Sequence, residues 1–222
     1  MEVLTPPRVS VVVPAYNNAG FIAQTLDSIL AQDYGNFELV IADHSSTDDT
    51  QRIIDRYAGD ARVRILAPTL KGGGALANWN RVSAHARGEF IKLVCGDDLI
   101  SPACLSTQVQ AFDANPSAVF VASPRDLIDA SGRRIVAGRG LAALDGRVTG
   151  ADAIRASVRA GTNIFGEPGC TLMRRSALEA AGAEFGAAKR AAAEDADVFE
   201  AAHAAHAEAQ ESCKSVARPP SV

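Results

Sequence analysis

Apolar residues cluster along the chain in short runs that alternate with longer amphipathic stretches. Val9 to Val13 (VSVVV) is a β-branched run stopped by Pro14, which cannot donate to a sheet ladder; it predicts a buried strand followed by a loop, Pro14 to Gly20. Phe21, Ile22, Leu26, Ile29 and Leu30 then recur at helical spacing. A second strand is predicted over Phe37 to Ala42, ending at Asp43. The helix after HSSTDDT carries Ile53, Ile54 and Tyr57, with Ser46 or Thr47 as its N-cap and Asp48 and Asp49 favourable against the helix dipole. Val63 to Leu66 reads as a third strand. Lys71 and the Gly72 to Gly74 turn follow, then a helix through Leu76, Trp79, Asn80 and Val82. Phe90 to Val94 is a fourth strand, ending at Cys95-Gly96 and two adjacent carboxylates, Asp97 and Asp98.

Strands alternating with helices at this spacing predict an α/β fold, a mostly parallel doubly wound sheet with helices on both faces. Further on, the pattern predicts a helix from Pro102 to about Asn115 and a strand over Ala118 to Ala122. A hairpin turning at Asp129 to Gly132 and a helix over Val148 to Ala160 capped by Thr149 come next. A strand-like Cys170 to Met173 and a helix from Ser176 to Ala181 complete the ordered pattern. Ala187 to Ala209 is dominated by alanine, with high helix propensity but few large side chains to bury, and Arg218 to Val222 reads as a loose end. We expect one domain over residues 1–182 and an alanine-rich helical segment with a loose tail over 183–222.

Chemistry narrows the reading. Ligands of open α/β sheets sit beyond the carboxyl ends of the strands, where Asp97 and Asp98 lie. Two adjacent carboxylates repel each other and suit Mg²⁺ or Mn²⁺ bound through one or two carboxylates plus substrate phosphates. The 222 residues carry a formal net charge of -4, which offers no basic field for nucleic acid. The four cysteines, Cys95, Cys104, Cys170 and Cys213, form no C-x-x-C pair and read as reduced buried thiols. MEVLTPPRVS has no apolar stretch of signal-peptide type, and no apolar run approaches the ~20 residues needed to cross a bilayer, so a cytoplasmic protein is expected. No G-x-G-x-x-G follows Val13, against a dinucleotide oxidoreductase, and no G-x-G-T-R loop follows it, against a nucleotidyltransferase. The glycines after Lys71 read as a surface turn, and His203 with His206 as a solvated helix face.

Taken together, the ordered motifs resemble the large inverting glycosyltransferase family two, whose fold is GT-A. Val9 to Asn17 (VSVVVPAYN), Asp43 to Thr50 (DHSSTDDT), Asn78-Trp79-Asn80, Ala86 to Ile91 (ARGEFI), Asp97-Asp98-Leu99, Gly166-Glu167-Pro168 and Met173 to Leu178 carry the resemblance, over roughly Val9 to Gly182. It implies metal-dependent transfer of a sugar from a nucleotide-diphospho-sugar, usually a uridine one, to a glycan or lipid-linked acceptor in polysaccharide biosynthesis. It implies that Pro14, Ala15, Tyr16, Asn17, Asp43, Ser45 and Asp97 hold the nucleotide and Asp98 the divalent metal. A general base is implied in Ala193 to Phe199, Asp195 first and Asp197 second. Two positions depart from the family: His44 stands where a second aspartate is usual, and Cys95 where many members have a further acid. The tail after Phe199 lacks the family's large apolar and aromatic residues, so a catalytically impaired nucleotide-binding remnant or partner subunit stays open as the alternative. Association with a membrane would run through partners, at its inner face.

Overall fold

The computed structural model describes residues 6–68, 74–141, 144 and 146–180. These fall into two compact units, one made by the chain up to Val121 together with Thr171 onward, the other by Ala122–Cys170. In the first unit β1 (Val9–Ala15), α1 (Ile22–Leu30), β2 (Phe37–Asp43), α2 (Thr50–Ile54), β3 (Val63–Leu66), α3 (Gly74–Ala84), β4 (Phe90–Leu93) and α4 (Cys104–Ala114) follow one another. β5 (Phe120–Ala122) carries the chain out of this unit. In the second unit, β6 (Arg125–Ile128), β7 (Arg134–Arg139) and α5 (Gly150–Ala160) follow. The chain re-enters the first unit at β8 (Thr171–Arg174) and α6 (Arg175–Ala180).

The sheet runs β3-β2-β1-β4-β8-β5; β1 is parallel to β2 and β4, β2 is parallel to β3, and β8 is antiparallel to β4. All seven residues of both β1 and β2 are buried, because successive side chains enter opposite layers. Val9, Val11 and Val13, with Leu39 and Ile41, pack against Ile22, Leu26 and Ile29 of α1 and Leu105, Val109 and Phe112 of α4. Val12, Val40, Ile91 and Leu93 pack against Trp79 and Val82 of α3. Helices cover both faces, as the alternation of elements predicts.

Two local features explain why the chain crosses the sheet where it does. The Gly88 position touches β1 so closely that a Cβ there would lie 2.7 Å from the Ser10 nitrogen and 2.8 Å from the Val9 carbonyl carbon. Replacing a glycine by alanine gains about 0.4–1 kcal/mol through the unfolded chain; overpacking against fixed backbone costs about 1–3 kcal/mol. The clash wins, and the A-x-G-E stretch needs its glycine. Beside it the buried Glu38 accepts from Ser10 Oγ at 2.6 Å, from the Arg87 amide at 2.9 Å and from the Arg87 guanidinium at 2.7 and 2.9 Å.

Burial alone would raise the Glu38 carboxyl, but hydrogen bonds from Arg87 and Ser10 outweigh it and hold it below its ordinary value of 4.5. Its contribution to stability is therefore complete above that ordinary value and is lost as pH falls through the lower folded-state value. Denaturant unfolding followed down the acid range should show this loss. Glu38→Gln, less stable at neutral pH, should show a shallower decline; an unchanged slope would mean that Glu38 contributes nothing.

Lys92 lies within β4, fully buried, its ammonium donating to Gln108 Oε1 at 2.9 Å and to the Thr171 carbonyl at 3.3 Å. A lysine survives in a core only with such partners, and here they tie β4 to α4 and β8. Cys95, Cys104 and Cys170 form no disulfide, as expected, but are half-buried rather than buried; each lies in or beside a loop or turn at the end of an element.

The second unit opens with a two-stranded antiparallel ribbon of β6 and β7, turning through Asp129 to Gly132 as the sequence predicts. Thr149 Oγ1 accepts from the Asp152 amide at 3.2 Å, capping α5. Arg125 pairs with Glu167 of the Gly-Glu-Pro segment at 2.5 Å. Among the described residues, no helix is long and apolar enough to cross a membrane.

Candidate active site

Three adjacent strands, β2, β1 and β4, end in the loops singled out by their polar residues. Pro14 and Ala15, expected in a loop, continue β1, so loop one (Tyr16 to Gly20) begins two residues later; it and loop two (His44 to Asp49) are stitched together by side chains bonded to backbone. The Asn17 amide donates to Ser46 Oγ at 2.9 Å, and Asn17 Oδ1 accepts from the Thr47 amide at 2.8 Å. The Asn18 amide donates to Thr50 Oγ1 at 2.8 Å, and the Ala19 amide to Asp48 Oδ2 at 3.1 Å. Hydrogen bonds from Thr50 and the Ala19 amide hold the Asp48 carboxyl below its usual value, outweighing the larger opposing effect of burial. Asn17 and Ser45 both adopt left-handed backbone, φ 52° and 57°. For a non-glycine residue such a conformation costs of order 1–3 kcal/mol and persists only when its surroundings dictate it.

The third loop joins through a close approach. A Cβ on Gly96 would lie 2.7 Å from Asn18 Oδ1, the atom that accepts from the Tyr16 amide at 2.9 Å. Cys95-Gly96-Asp97-Asp98 therefore rests directly on loop one. The Asp98 amide donates back to the Cys95 carbonyl at 3.1 Å, closing a tight turn that leaves both aspartates half-buried at the rim.

The cap of α2 differs from expectation. Asp49, not Ser46 or Thr47, holds the N-cap position, and its side chain pairs with Arg52 instead of capping. The competing partners decide this. Ser46 donates its hydroxyl to Asp43 Oδ1 and its amide to Asp43 Oδ2 (2.9 Å), while Thr47 turns to Asn17. Asp48 receives the Thr50 amide at 3.0 Å and so takes up the orphan donor. Asp43 is only 2% exposed, with both carboxylate oxygens engaged by Ser46. Its neighbour His44 is half-buried; its amide donates to the Ala15 carbonyl at 2.9 Å, and its ring meets that of Tyr16 edge-on, centroids 6.4 Å apart.

Sequence reasoning noted Asn78 only as part of a motif, and the structure gives it a task. It is 2% exposed on α3, and Nδ2 donates to the Ala42 carbonyl at 2.9 Å and the Ala15 carbonyl at 3.3 Å, bridging the ends of β2 and β1. A buried asparagine among apolar positions of a helix is the signal that could have revealed it. Pro14, Ala15, Tyr16, Asn17, Asp43, Ser45, Asp97 and Asp98 thus lie at the carboxyl ends of β1, β2 and β4. Asp195, Asp197, Lys71 and the His203–His206 pair lie outside the described residues.

Among the described residues no group of three or more histidine, cysteine or acidic side chains is arranged to hold a metal ion. Adjacent, half-buried Asp97 and Asp98 nevertheless fit a hard divalent cation, which needs only one or two carboxylates when water and substrate phosphates complete its shell.

Comparison with known proteins agrees with this architecture. GlyG of Streptococcus pneumoniae is 39% identical over 111 residues, 48% of this chain and 36% of that protein. TarS 1–349 of Staphylococcus aureus, solved in complex with UDP-GlcNAc, superimposes with a TM-score of 0.62 at 25% identity, covering 80% of this chain and 48% of that one. The mannosyltransferase PcManGT of Pyrobaculum calidifontis, solved in complex with GDP-Man and Mn²⁺, does so with a TM-score of 0.57 at 25% identity, covering 81% and 48%. The chain thus spans about a third of the length of this curated relative and about half of each solved chain. The family pattern described as glycosyl transferase family 2 matches residues 10–182, most of the sequence, and the chain belongs to that family.

Proposed function

We propose that this chain supplies the donor-binding part of a metal-dependent inverting glycosyltransferase, moving a sugar from a nucleotide-diphospho-sugar to a glycan or lipid-linked acceptor in polysaccharide biosynthesis. The observation that carries this reading is the joining of three loops at the ends of β2, β1 and β4, with an Asp97-Asp98 pair at their rim. TarS was solved with a UDP-sugar and PcManGT with a GDP-sugar and Mn²⁺, which supports a nucleotide-sugar as the donor here. Pro14 to Asn17 with Asp43 to Ser45 would border the base and ribose; Asp97 would approach the ribose or the cation, and Asp98 would hold the cation.

Inverting transfer is an in-line displacement. The acceptor hydroxyl oxygen forms a bond to the anomeric carbon as the bond to the diphosphate oxygen breaks. The hydroxyl proton passes to a general base, for which Asp195, or else Asp197, is proposed. Asp98 would hold the divalent ion, and the chemistry that ion would supply is neutralisation of charge on the departing diphosphate. The protein would work in the cytoplasm, reaching the inner face of the membrane through partners.

A melting screen with UDP-, GDP- and dTDP-sugars in Mn²⁺ tests the donor reading. Ligand at a hundred times its Kd stabilises by about 2.7 kcal/mol, which in a chain of this size corresponds to roughly 5–10 °C. If none of the nucleotides shifts the transition at millimolar concentration, the nucleotide-sugar reading fails.

A further inference from the structure

We infer that Gln32 is a positioning residue for the Asp97-Asp98 loop: by gripping the backbone that follows the pair, it fixes where the two carboxylates stand. This rests on the donor and metal reading above and extends the site to a residue beyond the strand ends.

Gln32 lies just past the end of α1 and is 8% exposed, so its side-chain amide needs partners inside the protein. It has three. Nε2 donates to the Ser28 carbonyl at 3.1 Å and to the Ser101 carbonyl at 2.7 Å, and Oε1 accepts from the Leu105 amide at 2.9 Å. Both amide hydrogens and the oxygen are thereby used. Each bond meets a need that the local sequence leaves open. The Ser28 carbonyl is one of the last four of α1, which lack partners within the helix. Leu105 is the second residue of α4, whose N-cap, Ala103, has no side chain able to cap. Gln32 therefore closes one helix and opens another, 73 positions along the chain.

Between those two helix ends runs Leu99 to Pro102, the direct continuation of Asp97-Asp98. α1 and the turn after it hold this backbone at three points. The Ile100 amide donates to Ser28 Oγ at 3.3 Å, the Ser101 carbonyl accepts from Gln32, and the Asp33 amide donates to the Pro102 carbonyl at 3.0 Å. The Gln32 bond is the shortest of the three. On the other flank Gly96 rests on Asn18, which stands before the first turn of α1. The loop is thus fastened near both ends of α1, with the two carboxylates between the fastenings. Loops one and two are stitched by other atoms, so loss of the Gln32 amide loosens the Asp97-Asp98 loop and leaves the rest of the rim joined. A site works best when its groups are held within about 0.5 Å of their productive places, and a cation bound by one or two carboxylates has few other protein ligands to compensate.

Calorimetric titration of the full chain with UDP, in Mn²⁺ and in chelator, tests this on wild type, Gln32→Met, Ser28→Ala and Glu38→Gln. Methionine has a similar length without the amide. Glu38→Gln is the control, because it loosens the opposite, amino ends of β1 and β2. Affinity of Gln32→Met in Mn²⁺ should fall about tenfold, the lower end of what outer partners of a metal site contribute, with affinity in chelator unchanged. Ser28→Ala should show a smaller loss of the same kind, and Glu38→Gln should melt earlier yet keep the full Mn²⁺ response. An intact Mn²⁺ response in Gln32→Met, a loss equal in Mn²⁺ and chelator, or a matching loss in Glu38→Gln overturns this inference alone. Should Gln32→Met not fold, an unchanged response in Ser28→Ala overturns it instead. Wild type that binds UDP without regard to Mn²⁺ overturns the metal reading; wild type that binds no nucleotide of the melting screen overturns the donor reading. Either result takes this inference with it.

Discussion

Asp195→Asn is expected to cut sugar transfer by roughly 10²- to 10⁴-fold, the contribution of a positioned general base, while leaving donor affinity nearly unchanged. The separation follows from what each group meets. A base would face the acceptor hydroxyl, whereas the diphosphate would be met by the loops after β1, β2 and β4. Asp197→Asn should have a small effect, since in the helix that the alanine-rich sequence predicts, positions two apart point to different sides. Initial rates and donor titrations on wild type and both variants, across a panel of acceptors, check the expectation. Full transfer by Asp195→Asn would remove it as the base. Donor binding without transfer by wild type would favour the nucleotide-binding remnant.

The second large effect is expected at Asp98. Asp98→Asn keeps the size of the side chain and removes the charge that would hold the cation, so the Mn²⁺-dependent part of nucleotide affinity should disappear. Outer-shell partners of a metal already influence its affinity by about 10- to 100-fold, and a ligand should matter at least that much. Asp97→Asn should do less, and the melting temperature without nucleotide should stay put in both. Titrations of UDP with Mn²⁺ and with chelator discriminate the outcomes: wild type in chelator should match Asp98→Asn in Mn²⁺. A variant that keeps its Mn²⁺ response would leave Asp98 as a turn residue.

The elements that sequence reveals most directly are those buried on both faces. Val9 to Val13 and Phe37 to Ala42 are continuous apolar runs because parallel strands between two helical layers have no solvent side. The motif aspartates were legible as a group because loops after such strands converge. Competition between polar partners was not legible. Ser46 and Thr47 have equal capping chemistry on paper, and only the folded loop shows that Asp43 and Asn17 claim them first. Lys92 is a similar case: nothing near it in the chain shows that Gln108, sixteen positions on, will take its ammonium. The duty of Gly88 likewise depends on backbone from the far end of the sequence.

The side-chain-to-backbone bonds of Asn17, Asn18 and Ala19 with Ser46, Thr47, Asp48 and Thr50 bear on how such a pocket can be rebuilt. Each loop ends on atoms belonging to the other, so neither is a cassette. Grafting Pro14 to Gly20 into a foreign scaffold without its serine and threonine counterparts would strand several amides without acceptors. Drift at one of these positions is likewise filtered by its counterparts, and the two segments are inherited as one unit. Recombination that separates them should yield folded sheets with collapsed rims. Diversity in what the pocket accepts is then left to residues outside the stitching.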